Sequence, residues 1–333
     1  MTVERTIVVL GANSFSGQDF VDLLLDDSTN RVLGVSRSPQ RSPLFIRHLA
    51  RNRAANYRYI QLDVNKQMPE LLALLDAERP MWIVNFAAQS EVGPSWIHPE
   101  HWFQTNCVAL AELVNHLSHC DYLQRYLHIS SPEVYGTCDG RVTETAALNP
   151  STPYAASKAA ADLLLKTYCQ HLDFPLLTAR ATNVYGPGQQ LFKVIPRSII
   201  NIKTGRTISL HGGGRAVKSY IHIRDVSCGE LAILDRGRIG EVYHLSSERG
   251  VAVRDVVQLI CSAMSVNFEE VTKAVNERLG QDAVYVIDSE RARVELGWRA
   301  DTALKDGLAE VIDSMEANWD EIRRLPLEYE HKP

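Results

Sequence analysis

The sequence predicts an α/β fold, a doubly wound parallel sheet with a smaller interleaved α/β lobe. Three observations predict it. Apolar runs of strand length alternate with helical patterns through the first half, the rhythm of βα units that lay helices on both faces of a parallel sheet. The first run leads directly into a turn bounded by Gly11 and Gly17, and then into a helix. After Asn183 the rhythm breaks at Tyr185-Gly186-Pro187-Gly188, and mixed segments follow.

The elements follow in order. Thr6–Leu10 reads as a buried strand and Gly17–Leu25 as a helix. Strands are expected at Arg31–Val35 and Tyr57–Asp63, a helix at Met68–Leu75 and a strand at Met81–Phe86. One long helix is expected over His101–Leu117, a strand at Tyr126–Ser130, a second long helix over Tyr154–His171 and a strand at Leu176–Arg180. Beyond the break, a strand is expected at Thr207–Leu210 and helices at Val253–Met264, Ser289–Leu296 and Ala303–Trp319. The polar end, Glu328–Pro333, is expected to be a surface tail.

Composition narrows the function classes. The 333 residues suit one large unit or a main domain with a smaller partner. A hydrophobic share of 45% with 23% charged residues excludes disorder and a coiled-coil rod. The net charge of −5 offers no basic field, so no nucleic-acid partner is expected. Six irregularly spaced cysteines without a CxxC pair suggest reduced thiols, not a zinc ribbon or a disulfide framework. No apolar run reaches the roughly 18 residues of a membrane span, and the N-terminus carries no signal-peptide pattern, so a cytoplasmic protein is expected.

The turn Gly11-Ala12-Asn13-Ser14-Phe15-Ser16-Gly17 stands between a strand and a helix. There a glycine lets backbone approach a pyrophosphate, and the helix N-terminus offers N–H donors. This makes Gly11, Asn13, Ser14, Phe15, Ser16 and Gly17 candidate dinucleotide contacts, with Ser14 where a middle glycine is common. The second strand ends in Ser36-Arg37 instead of an acidic residue that would bind a ribose 2′-hydroxyl. An arginine accommodates a 2′-phosphate, so NADP is favoured, with NAD possible. Asp63, at the end of the third strand, either hydrogen-bonds an adenine amino group or simply caps the strand.

Tyr154 and Lys158 stand four residues apart at the start of a helix, on one face. The lysine charge is expected to lower the tyrosine pKa, making the phenolate a base for alcohol oxidation by a nicotinamide.

With these motifs the chain resembles an extended short-chain dehydrogenase/reductase, and within that family the nucleotide-sugar 4,6-dehydratases of the dTDP-glucose and GDP-mannose type. The resemblance covers essentially the whole chain. It rests on the turn above, Asn85-Phe86-Ala87-Ala88-Gln89-Ser90, Ser130-Ser131-Pro132-Glu133-Val134-Tyr135-Gly136, Tyr154–Lys158, Arg180–Gly188, Lys218–Val226 and Leu296-Gly297-Trp298. It implies a Rossmann domain over 1–182, to which 219–250 returns, and a substrate-binding lobe made of 183–218 and 251–333. It adds Val64, Ala87, Ala88 and Gln89 to the cofactor contacts, beside Tyr154 and Lys158.

The resemblance also implies a reaction. Ser131 bonds the sugar 4-hydroxyl and Tyr154 removes its proton as C4 is oxidised. Glu133 takes the C5 proton, the C6 hydroxyl leaves as water, and hydride returns to C6. Many epimerases of the family have a small residue in place of Glu133. Glucose dehydratases of the family often carry Asp before that Glu, as the acid that protonates the leaving hydroxyl. Here that position is Pro132, and the proton falls to Glu133 itself, a water or Ser131. Substrate contacts fall at Gln89, Ser90, Asn183, Lys193, Leu210, His211, Lys218 and Arg278.

The expected ligand is a nucleotide-diphosphate sugar, its base unread. A homodimer through helices 101–117 and 154–171 is also implied. The competing readings are a UDP-glucuronate decarboxylase, an NDP-sugar 4-epimerase and, in a different class, a non-catalytic NADP-binding regulator. The segments His98–His101 and His116–Cys120 hold metal-capable residues, but neither shows a partner cluster in the sequence, so no metal is expected.

Overall fold

The computed structural model describes residues 5–52, 55–137, 140–277 and 284–332. Seven strands form a wholly parallel sheet: β1 (Arg5–Leu10), β2 (Asn30–Ser36), β3 (Tyr57–Gln61), β4 (Trp82–Asn85), β5 (Arg125–Ile129), β6 (Leu176–Ala181) and β7 (Val242–Leu245). Their order is β3-β2-β1-β4-β5-β6-β7. The order in which strands are added reverses between β1 and β4, which opens a crevice at the carboxyl ends of the strands.

The apolar run of β1 explains its place inside the sheet, between β2 and β4. Ile7, Val8, Val9 and Leu10 are all fully buried. Successive residues of a strand face opposite sides. Ile7 and Val9 therefore join the core under helices Phe15–Leu24 and Ile223–Arg236. Val8 and Leu10 join the core under Met68–Glu78, Leu110–Leu117 and Pro153–Leu172.

A second sheet gathers short strands at Arg141–Val142, Asn183–Tyr185, Val217–His222, Gly250–Ala252 and Val284–Ile287. Tyr185, Ile195, Ile199, Tyr220, Val256 and Leu308 form a separate core beside it. Ile208–His211 pairs with Thr272–Val275 as a two-stranded sheet. Ala292, Leu296 and Trp298, late in the chain, return to the core of the large sheet.

Two expectations change. The single helix over His101–Leu117 is three segments: an α-helical turn at Pro99–Phe103, a π-helical stretch at Gln104–Ala109 and an α-helix at Leu110–Leu117. The tail lies at the surface as expected, with Glu328, Glu330 and Lys332 exposed, but it is held down as a strap. Arg197 binds the Leu327 carbonyl at 2.8 Å and the Glu328 carboxylate, and the Tyr329 ring meets Phe192 edge-on. The Lys332 carbonyl then accepts hydrogen bonds from Gln89 Nε2 at 2.6 Å and from an Arg37 guanidinium nitrogen at 3.1 Å. Backbone carbonyls need partners wherever they fall, and here they draw a polar segment down onto the protein.

Candidate active site

The turn after β1 is built for close backbone approach. Gly11 has a φ of +80°, and a Cβ there would lie 2.7 Å from the Ala87 nitrogen, so only glycine fits. Ser14 caps the helix Phe15–Leu24 by accepting from the Gly17 N–H at 3.0 Å. Phe15 and Ser16 open that helix. Val64, Ala87 and Lys158 line one cavity together with Asn106 and His128. A capped helix N-terminus and a turn that starts on a glycine with no room for a Cβ, at the sheet's switch point, fit a dinucleotide.

The neighbouring side chains are occupied with one another. Asn13 Nδ2 donates to the Ser38 and Pro39 carbonyls and to the Tyr59 hydroxyl, and its backbone N–H donates to Ser36 Oγ at 2.9 Å. Asn13 and Ser36 thereby pin the loop after β2 onto the glycine turn. Asp63 Oδ1 accepts from the Asn65 N–H at 2.9 Å, the bonding of a strand-end cap. Gln89 is fixed from both sides: its N–H donates to Asn106 Oδ1 and its carbonyl accepts from Asn106 Nδ2. Ala88 and Ser90 flank it on the loop after β4.

Ser131 ends the loop after β5 and caps a short 3-10 turn, Pro132–Tyr135, accepting from the Glu133 N–H at 3.2 Å. Tyr154 enters from the helix Pro153–Leu172, capped by Thr152. Burial pushes its hydroxyl well above the usual tyrosine range. The Glu133 carboxylate adds to that, and a hydrogen bond with Ser131 opposes it. Ser131 thus links the turn that carries Glu133 to the Tyr154 hydroxyl.

Lys158 is buried, which pushes its pKa down to about 8 against the pull of Asp162. Its ammonium donates to the Ile129 carbonyl at 2.6 Å. The expected lowering of Tyr154 by Lys158 is therefore not realised in this conformation: burial dominates, and the lysine faces the backbone of β5.

The substrate-side residues divide. Lys193 pairs with Glu91 at 2.7 Å, next to Gln89 and Ser90. Asn183 and Lys218 lie on paired strands of the second sheet, Asn183 in register with Tyr220. Leu210 and His211 stand apart on the two-stranded sheet. The Leu210 side chain packs inward with Ile208 and Val257, so its contact surface is already used by core. His211 Nδ1 lies 3.0 Å from the Asn276 carbonyl. Arg278 lies outside the described residues.

Three residues escaped the sequence reading. Asn106 sits in the π-helical stretch and joins Gln89 to Ser157 Oγ at 2.9 Å. Asp162, one turn beyond Lys158, accepts from Ser130 Oγ at 2.7 Å and pairs with Arg180 at 2.6 Å. Its spacing of four from Lys158 was the available signal. Glu91 also raises the Tyr154 pKa, as Asp162 does, and it pairs with Lys193.

A nicotinamide-type crevice facing a Ser/Glu/Tyr/Lys set defines an enzyme of the nucleotide-sugar dehydratase and epimerase class. Residues 8–311 match the family model described as GDP-mannose 4,6 dehydratase, and the chain belongs to that family. The low-salt glycan biosynthesis protein Agl12 of Haloferax volcanii is 33% identical over 92% of this chain and 97% of its own. A dTDP-glucose 4,6-dehydratase of Mycobacterium tuberculosis is 34% identical over 77% of each chain. The crystal structure of DesIV, a dTDP-glucose 4,6-dehydratase from Streptomyces venezuelae with NAD and TYD bound, superposes with a TM-score of 0.88 at 28% identity, over 95% of this chain and 98% of that one. The NADP preference read from Arg37 gains nothing from this neighbour, which holds NAD. Among the described residues, no helix is long and apolar enough to cross a membrane.

Proposed function

We propose that this protein is an NDP-sugar 4,6-dehydratase that converts a nucleotide-hexose to its 4-keto-6-deoxy derivative. The observation that carries the reading is Ser131, which caps the short turn that carries Glu133 and hydrogen-bonds the Tyr154 hydroxyl. A bound nicotinamide supplies reversible hydride storage between C4 and C6.

The chain's own residues handle protons and position. Ser131 orients the sugar 4-hydroxyl and Tyr154 takes its proton. Glu133 takes the C5 proton once C4 is a ketone, then returns a proton to the departing C6 hydroxyl. Pro132 opens the 3-10 turn and has no proton to give, so both duties fall on Glu133. Gly11, Ser14, Phe15, Ser16 and Gly17 hold the pyrophosphate at the capped helix N-terminus; Val64 and Ala87, which line the cavity beside it, and Ala88 and Gln89 on the loop after β4 serve the rest of the cofactor. Gln89, Ser90, Asn183, Lys193, Lys218 and His211 serve the sugar nucleotide, as a lobe of 183–218 and 251–333 facing a 1–182 domain, with Ala292, Leu296 and Trp298 corrected out of that lobe because they pack into the core of the large sheet.

NAD is the form supported by the bound structure of the relative. Arg37→Ala tests the alternative: a change in discrimination between NADP and NAD would restore the 2′-phosphate role. A homodimer through helices 101–117 and 154–171 draws support from Val108 and Leu163, exposed on these helices at 53% and 56%. A cytoplasmic location completes the reading.

The decisive experiment incubates the protein with a panel of NDP-hexoses and follows mass. Loss of one water is expected. Loss of carbon dioxide from UDP-glucuronate, or an unchanged mass with a new configuration, would replace the dehydratase with a decarboxylase or an epimerase.

A further inference from the structure

Three histidines from opposite ends of the sequence meet beside the strap. The ring centroids of His98, His101 and His331 are mutually 5.1–5.2 Å apart, with ring planes within 19° of one another. His331 also lies flat against Trp102, whose side chain is fully buried. The sequence places His98 and His101 together, but only the fold brings in His331.

The spacing of Glu100 from the two histidines of its own segment is not that of hydrogen bonds. His98 Nδ1 and His101 Nε2 each lie 3.7 Å from the same Glu100 oxygen, Oε1. That is too long for a hydrogen bond. It approaches the edge, about 3.3 Å, of a tetrahedron whose centre holds a zinc ion at 2.0–2.1 Å from its ligands. The three ligand atoms all lie within 4.8 Å of one another. The other nitrogen of His101, Nδ1, is 2.8 Å from His331 Nε2, and His331 Nδ1 is 3.2 Å from the Tyr329 hydroxyl. A histidine that binds a metal through one ring nitrogen usually anchors the other in this way.

We propose that His98, Glu100 and His101 form a site for a zinc-class dication, with His331 orienting His101 and so coupling the ion to the C-terminal strap. Two nitrogens and one carboxylate oxygen make a three-ligand set that leaves a fourth position for water. With its Nδ1–H given to His331, His101 presents the Nε2 lone pair toward His98 and Glu100. Filling the site fixes that tautomer and holds His331 in place. Lys332, the next residue, is the one whose carbonyl bridges Gln89 and Arg37 across the dinucleotide crevice. The ion therefore pins the strap over the cofactor, without contacting the reacting groups.

The test uses Zn²⁺ and Co²⁺ alone. Chelator-treated full-length protein is titrated with Zn²⁺ and analysed by elemental mass spectrometry, and Co²⁺ binding is followed by its tetrahedral absorption bands. One equivalent per chain is expected, lost in His98→Ala and in His101→Ala. His331→Ala should keep the site but bind about 10–100-fold more weakly. Circular dichroism and thermal melts confirm that each variant is folded, and Cys228→Ser controls for thiol binding at an exposed cysteine. Wild-type-like binding in His98→Ala, no binding by the unmutated protein, or loss in Cys228→Ser would overturn the site. Hydrogen exchange over residues 324–332 reads the coupling. Slower exchange on adding Zn²⁺ is expected in the unmutated protein and absent in His98→Ala, and equal exchange with and without Zn²⁺ would overturn the link to the strap.

Discussion

In the seven-stranded sheet every pairing is parallel, and the central strand is sealed on both faces. The second sheet joins strands of two to six residues in mixed directions, and Lys193, in the segment that follows its strand Asn183–Tyr185, is held by an ion pair to Glu91. The difference separates two jobs. Chemistry that tolerates little displacement stands on the rigid frame: Tyr154 and Lys158 on a 20-residue helix, Ser131 directly after β5. Recognition of a variable substrate falls to pieces whose positions depend on distant partners. Catalytic loss should therefore be steep on the first side and shallow on the second.

The largest expected effect is at Glu133. Glu133→Gln should cut dehydration about 10²–10⁴-fold, measured by mass spectrometry of product, while the cofactor content stays that of the unmutated protein. Full activity in this variant would move the base elsewhere and break the division of labour. Next comes Lys158. Its pKa is lowered to about 8 by burial, so the ammonium persists below that pH and is lost as pH rises through it. Turnover that needs this cation should fall above pH 8. Lys158→Met should cost about 10²-fold and erase that inflection, and an inflection that survives belongs to another group.

Smaller effects compare backbone positions. Gly11→Ala meets both a left-handed φ and the Ala87 nitrogen at 2.7 Å, whereas Gly213→Ala, at a φ of +70°, meets nothing within 4 Å. The backbone cost is about 1–2 kcal/mol in each, so Gly11→Ala should destabilise more in urea unfolding. Equal losses would mean that the turn relaxes. The smallest effect is at Lys193, an ion pair half open to solvent. Lys193→Met should raise KM by no more than about fivefold with kcat unchanged, as a partly exposed pair is worth about 0–1 kcal/mol.

The large sheet was readable because strands buried on both faces are continuous apolar runs. β1, β2 and β6 fall within one residue of their expected ends. Strand Val217–His222 went unread because its sequence, VKSYIH, interleaves polar residues and gains its partners from three other parts of the chain. The π-helical stretch carries no local mark, since Asn106 earns its place only through Gln89 and Ser157. The strap was missed for the same reason: Lys332 acts through its carbonyl, which no side-chain pattern encodes. In the site, Tyr154 and Lys158 were legible from helical spacing. Asp162 was equally legible on that face, yet its value shows only beside Arg180, which comes from another strand.

Pro132 has an isotopic consequence. A separate acid would let the hydrogen taken from C5 and the hydrogen given to O6 come from different pools. With a proline in that place and one carboxylate serving both, the hydrogen lifted from C5 is the one at hand when the hydroxyl departs. Deuterium placed at C5 would then leave in the released water, while C5 of the product takes its hydrogen from solvent.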